Sequence, residues 1–211
     1  MKILRALRPP APFVHDPEEL RVSAPLGRWN LYVGGAGARP LGYVNIDLFE
    51  VPGVDVVADV ERLPFRDAVF TRIECDAVLE HVRNPETAVA EMRRALEPGG
   101  LVHLVTPFCH PFHEHPRDFR RFSIDGLVEL ARGFEIVKTG WRTGPTATLL
   151  IVLLEYAKTL LPWGPLPPLV HAVLGWVLFP LRYLDLLLRR SPRAHRIGNH
   201  CYAWLRKPAQ G

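Results

Sequence analysis

At 211 residues the chain can build one domain with a sizeable core and falls short of two full ones. Its 26 Lys and Arg against 22 Asp and Glu leave a formal charge of +4, with the basic residues scattered rather than gathered in a stripe, which argues against nucleic acid as a partner. Cys75, Cys109 and Cys201 are odd in number, far apart and form no CxxC pair, so neither a disulfide framework nor a cysteine zinc site is expected, and a reducing cytoplasm is.

Residues 1–28 read as an N-terminal arm: MKILRALRPPAPF is basic but has no apolar run long enough for a signal-peptide core. From residue 29 to the C-terminus the chain reads as one domain. Asn30–Val33 is a short apolar run ending in glycines, as a buried strand entering a loop would. Tyr43–Asp47, Val54–Val57 and Val69–Cys75 follow as further strands. Asn84 to Leu96 predicts a helix, with Asn84 at the N-cap, Pro85 at the first helical position and Ala88, Met92, Ala95 and Leu96 on one face. Glu97-Pro-Gly-Gly100 predicts its stop and Leu101–Thr106 the next strand.

Ser123 predicts the cap of a second helix, with Leu127, Val128, Leu130 and Ala131 apolar, and Gly133–Lys138 a further strand. The segment of about 145–192 turns sharply to Leu, Val, Trp and Pro and predicts a helical apolar insertion. Glu155, Lys158, Pro180, Arg182 and Asp185 interrupt it, so neither half reaches 18 uncharged apolar residues and a spanning helix is not expected. A basic flank, Arg189-Arg-Ser-Pro-Arg193, follows. His200–Lys207 alternates as a last strand.

Strands alternating with helices predict an α/β fold with a parallel sheet. The order of elements suggests a Rossmann-like three-layer sandwich: a mostly parallel seven-stranded sheet, the last strand antiparallel and the insertion before it. In such a sheet ligands bind beyond the carboxyl ends of the strands. Those ends carry Gly34-Gly-Ala-Gly37, then Asp47, then Asp59 followed by Leu63-Pro-Phe65, then Asp76, Glu80 and His81. Glycines let backbone approach a ligand closely, and a carboxylate after the second strand can accept hydrogen bonds from a ribose diol. G-x-G-x-x-G and a P-loop are both missing, so neither a dinucleotide nor a nucleoside-triphosphate fold is indicated.

The runs LYVGGAGARPLGYVNIDL, VDVVADVERLPFRDAVFTRIECDAVLEHV and AVAEMRRALEPGGLVHLVTP resemble the class I S-adenosylmethionine (SAM)-dependent methyltransferases, specifically the type 11 group. The resemblance implies SAM as cofactor. It implies that Gly34, Gly35 and Ala36 line the methionine part and Asp47 the ribose. Asp59, Val60 and Leu63 would lie at the adenine, and Asp76 near the methionine ammonium. Thr71 stands where Asp is common, and the chain departs from the pattern at Tyr32, where an acidic residue is usual, at Ala36 for the second glycine, and in the short connection from Gly34 to Tyr43. A non-catalytic binding or scaffolding protein of the same fold is therefore the alternative to an enzyme.

The loop Pro107–Phe122 follows the fifth strand at the same sheet edge. Methyl transfer to oxygen or nitrogen, oxygen being expected first, is limited by positioning and by removal of the acceptor's proton. His113 or His115 is the candidate base, Asp118 its orienting partner, and His81 a further candidate facing the methyl group. The spacing His110-x-x-His113-x-His115 is broken by prolines and lacks helical geometry, so no metal is assigned. The acceptor expected is a small or lipid-linked molecule. For residues 146–193 three readings stand: a lid, a membrane-surface contact that would associate a cytoplasmic protein with lipid, or a homodimer interface.

Overall fold

The apolar runs of the first half become the parallel part of one seven-stranded sheet in the computed structural model, which describes residues 9–22, 26–35 and 40–209. Its strands are β1 (Asn30–Val33), β2 (Val44–Asp47), β3 (Val56–Val57), β4 (Phe70–Asp76), β5 (Leu96–Pro107), β6 (Glu135–Thr143) and β7 (His200–Arg206), in the order β3-β2-β1-β4-β5-β7-β6. β2 pairs parallel with β1 and β3, and β4 parallel with β1 and β5. Leu31, Ile46, Ile73, Cys75, Leu104 and Val105 are each at most 1% exposed, the burial that parallel strands covered on both faces require.

β7 runs antiparallel to β5. Gly99 N–H donates to Lys207 O and Lys207 N–H to Gly100 O, while Cys201 lies against Thr106, so residue numbers rise on one strand as they fall on the other. The mixed sheet and Rossmann-like class expected from the sequence are those observed.

Two expectations shift locally. Glu97-Pro-Gly-Gly100 does not sit outside the sheet. β5 begins at Leu96, which pairs with Phe70, yet Arg72 pairs with Leu101, so the Pro-Gly-Gly residues are absorbed as a bulge. Gly99 supplies the φ of +79° this needs. Asn84 stands at the N-cap of α1 (Pro85–Ala95) but its side chain makes no capping bond; its Nδ2 donates to Glu61 Oε2 at 2.7 Å instead. α1 buries Ala88, Val89, Met92 and Ala95. α2 (Ile124–Leu130) is capped as expected, Ser123 Oγ accepting from Gly126 N–H at 3.1 Å, and it buries Leu127.

Charged groups enter the sheet where partners meet them. Glu74 on β4 accepts from Arg72 Nε at 2.6 Å and contacts His103 Nδ1 on β5 at 2.7 Å. The His103 ring stacks on Trp204 of β7, centroids 4.1 Å apart. Burial pushes the Glu74 carboxyl up, but His103 and Arg72 outweigh it and hold it below its ordinary value.

The chain divides into two units. One comprises residues 20–107, 113–140 and 201–209, with β1–β5, α1, α2 and nearly all of β7. The other comprises residues 9–19, 108–112 and 141–200. It holds α3 (Pro145–Leu160), α4 (Leu166–Leu178), a 3-10 turn over Phe179–Leu184 and the short α5 (Asp185–Leu188). Asp185, 6% exposed, caps α3 from 39 positions further on: Thr146 N–H donates to its Oδ1 at 2.7 Å and Ala147 N–H to its Oδ2 at 3.0 Å. Arg142 donates to the buried Glu19, and Gly175 of α4 lets Pro9 approach so closely that a Cβ would stand 2.4 Å from the proline ring.

Candidate functional site

The strand order reverses between β1 and β4, and there the carboxyl ends of β1–β4 open into a cavity of about 610 Å³ within the first unit. Its wall includes Gly34, Asp47, Asp59 and Val60 from the sequence-derived set. Gly34 has φ +72°, and a Cβ there would stand 2.2 Å from Val78 Cγ2, so glycine is required on both counts. Asp47 ends β2, its Oδ1 accepting from Phe49 N–H at 3.1 Å, and Asp59 follows β3, its Oδ1 accepting from Glu61 N–H at 2.9 Å. Both bonds are made by the residue two positions on, a turn that fixes each carboxylate at the rim.

The loop carrying Asp59 and Val60 is latched to the start of α1. Glu61 accepts from Asn84 through both N–H at 3.1 Å and Nδ2 at 2.7 Å, and these bonds hold the Glu61 carboxyl below its ordinary value. This latch has no sequence signature, since Glu61 and Asn84 stand 23 positions apart.

Three of the expected cofactor residues stand off the cavity wall. Gly35 turns toward Asn45, where a Cβ would lie 2.0 Å from Oδ1. Leu63 is buried, its N–H donating to Glu91 Oε2 at 2.9 Å and its carbonyl accepting from Arg94 at 3.2 Å, so the Arg94–Glu91 pair takes up its backbone. Asp76 is the last residue of β4, and Ala77 and Val78 after it form the wall instead. Ala77 is held at φ +53°, its N–H donating to Val105 O at 3.0 Å. Ala36 lies outside the described residues.

Imidazoles line the same cavity: His81, His113 and His115, with Phe119 and Phe49. His81 Nδ1 lies 2.6 Å from Arg117 O, which makes it the protonated nitrogen and leaves Nε2 as the lone pair. That Nε2 faces Glu80 Oε1 at 3.7 Å, and His113 Nε2 faces the same oxygen at 3.6 Å. Glu80 is 0% exposed and neither of its carboxylate oxygens has a hydrogen-bond partner. Asp118 stands beside His113. Its Oδ2 accepts from His113 N–H at 2.8 Å and stands 3.5 Å from Nδ1. The paired Arg121 guanidinium holds the Asp118 carboxyl down to about 2.

Both ring nitrogens of His113 thus face charged groups. His115 is exposed, its ring 6.2 Å from that of Phe49. His110 belongs to the second unit, where its Nδ1 lies 3.0 Å from Asn199 Oδ1. The sequence placed His81 and His113 in the site separately but gave no sign that Glu80 joins them. In sequence Glu80 stands beside His81 after the fourth strand, and only the fold shows that it is buried and shared with His113.

The chain matches the methyltransferase domain family Methyltransf_11 over residues 43–104. It is 36% identical over 72 residues to a demethylmenaquinone methyltransferase of Renibacterium salmoninarum, covering 34% of this chain and 30% of that one. It is 46% identical over 44 residues to the ubiquinone/menaquinone biosynthesis C-methyltransferase UbiE of Bordetella avium, covering 21% and 17%. The match thus spans under a third of either relative.

Among solved structures, a methyltransferase-like protein of Bacillus halodurans superposes with a TM-score of 0.54 at 16% identity, over 99% of this chain and 100% of that one. The 1,6-didemethyltoxoflavin N1-methyltransferase of Burkholderia thailandensis, solved with S-adenosylhomocysteine, gives 0.54 at 16%, over 90% and 74%. At these identities the likeness is one of fold. Over residues 43–104, the stretch that runs through β2, β3 and β4 into β5, the chain is thus similar to the methyltransferase domain family, and its fold is the one those solved structures share.

Proposed function

We propose that the protein transfers a methyl group from SAM to an oxygen, in preference to a nitrogen, of a small or lipid-linked acceptor. The observation that carries this reading is one cavity lined by two unlike sets of residues: glycine and carboxylates at the strand ends, and imidazoles with aromatic rings. The Gly34 backbone on the cavity wall and the two rim carboxylates fit an adenosyl group and its amino acid. Gly34 would admit the methionine backbone, Asp47 would accept from the ribose hydroxyls, and Asp59 with Val60 would flank the base. SAM supplies an electrophilic methyl group when bound.

This chain's own residues would then hold the acceptor and take its proton. His115 lines the cavity and is exposed, whereas His113 is held at both nitrogens, so the geometry favours His115 as base and His113 as a positioning residue. The relatives named for methylation of demethylmenaquinone and at carbon extend the candidate acceptors to quinol rings. Calorimetric titration with S-adenosylhomocysteine tests the reading: wild type binds, and Asp47→Ala binds about 1–3 kcal/mol more weakly. Absence of binding in the wild type, or equal affinity in Asp47→Ala, would refute the assignment and favour the scaffolding alternative.

A second observation concerns where the reaction takes place. In the second unit Leu149, Tyr156, Trp163, Val173, Trp176, Val177 and Leu187 are all about half or more exposed. Leu166–Leu188 is helical, long and apolar enough by composition to cross a membrane. Its uncharged stretch before Arg182 is only about 16 residues, ~24 Å, short of a ~30 Å hydrocarbon core. Arg182 donates to Ala11 O at 2.8 Å, and Asp185 is bound to α3. A helix lying in the interface fits these constraints. The exposed Arg189, Arg190, Arg193 and Arg196 complement anionic headgroups, and Trp163 and Trp176 suit the headgroup level. Flotation with phosphatidylglycerol-containing vesicles tests it. Wild type rises with the lipid, and Val177→Glu/Leu187→Glu stays at the bottom; a wild type that stays down would exclude the contact.

A further inference from the structure

We propose that Glu80, His81 and His113 form a binding site for one divalent transition-metal ion, of the zinc class, on the imidazole wall of the cavity. One ligand atom from each residue lies within 4.8 Å of the other two. His81 Nε2 and His113 Nε2 point at the same oxygen, Glu80 Oε1, from 3.7 and 3.6 Å. Ligand atoms around a tetrahedral zinc stand about 3.3 Å apart, given Zn–N and Zn–O lengths near 2.0–2.1 Å. Small side-chain rotations therefore close the set.

Two further features point to an ion rather than to packing. First, Glu80 is wholly buried with both carboxylate oxygens lacking a hydrogen-bond partner, and a buried charge of that kind calls for a cation. Arg121, whose charge also acts on Glu80, is hydrogen-bonded to Asp118 through both terminal nitrogens. Second, each imidazole carries the outer partner that metal-ligating histidines use to fix tautomer and orientation. His81 Nδ1 is bound to the Arg117 carbonyl, and His113 Nδ1 stands 3.5 Å from the Asp118 carboxylate. Two imidazoles and one carboxylate make a three-ligand site, which leaves a coordination position open. His81 and His113 line the cavity, so that position faces the acceptor's side.

A hydroxyl oxygen of the acceptor would occupy it and give up its proton more readily there, to a base such as His115. This consequence, unlike the site itself, rests on the methyl-transfer reading. It narrows the acceptor class to phenols, enols and quinols.

The test is titration of chelator-stripped, full-length protein with cobalt(II) chloride, followed by the visible cobalt band, and with zinc chloride by calorimetry. The expected result is one ion per chain, with affinity at least about tenfold lower in Glu80→Gln and in His81→Ala, the scale set by loss of metal-supporting groups. His195→Gln, at an exposed histidine, should titrate as wild type. Should Glu80→Gln fail to fold, His113→Gln gives the same comparison. A wild type that binds no more ion than the His81→Ala/His113→Ala double variant would overturn the site. Binding of S-adenosylhomocysteine, measured on the same stripped preparations, reads the cofactor assignment separately from the metal.

Discussion

Gly34→Ala is the change that most directly probes the floor of the cavity. A methyl group there meets two penalties that can be separated. The backbone at φ +72° costs an L-residue about 1–2 kcal/mol. The added Cβ would stand 2.2 Å from Val78 Cγ2, so the wall must move, an overpacking worth about 1–3 kcal/mol. Together the variant should lose about 2–5 kcal/mol. Only the second part depends on Val78. Introducing Val78→Ala into Gly34→Ala should therefore restore about 1–3 kcal/mol relative to additivity and leave the backbone part in place. Urea unfolding of the two single variants, the double variant and the wild type closes the cycle. Strictly additive losses would show that Val78 is not what excludes a side chain at position 34, and the close approach would fail as the reason for the glycine.

Three other expectations are quickly checked. Asp118 has a usual carboxyl value of 3.8, and Arg121 holds it to about 2 in the fold. A depressed carboxylate adds stability above its unfolded pKa and loses it as pH falls through the folded one. Asp118→Asn should thus cost up to about 2 kcal/mol at neutral pH, and the deficit should shrink between about pH 4 and pH 2; a thermal-melt deficit independent of pH would refute the pairing. His115→Ala should slow turnover by about 10²–10⁴-fold with S-adenosylhomocysteine affinity unchanged; normal rates on an accepted substrate would remove it as base. Asn84→Ala should raise the Glu61 carboxyl toward its ordinary value, read as a shifted carbon resonance on NMR titration, and an unmoved Glu61 would show that the latch is absent.

Much of the sheet was legible because a parallel strand buries both faces and so leaves a plain apolar run, as at Leu31, Ile46 and Leu104. Where the reading slipped, a residue's local habit was overridden by a distant partner. Pro98-Gly-Gly100 has the chemistry of a helix stop, and only the bonds of Gly99 and Gly100 to Lys207 draw it into a strand. Asn84 has the chemistry of a cap, and only the approach of Glu61 diverts its side chain. The ends of β1–β3 were legible from Gly34, Asp47 and Asp59, since a polar residue after an apolar run marks a loop at the ligand edge. Leu63 and Asp76 follow the same rule and miss the cavity, because Glu91 and Arg94 claim the backbone of Leu63 and the wall passes to Ala77 and Val78 after β4 ends. Glu80 was invisible as part of a cluster, as was the stacking of His103 on Trp204, because both depend on segments more than 30 positions apart.

In sequence, Asp185 looked like a charge that spoils an apolar stretch. Bound to the amides of Thr146 and Ala147, it works as a clasp joining the two ends of that stretch. An apolar excursion of some forty residues whose ends are fastened to each other imposes little on the strands from which it departs. Its outer face can change composition freely, from waxy to wettable, while the strands before and after it keep their register.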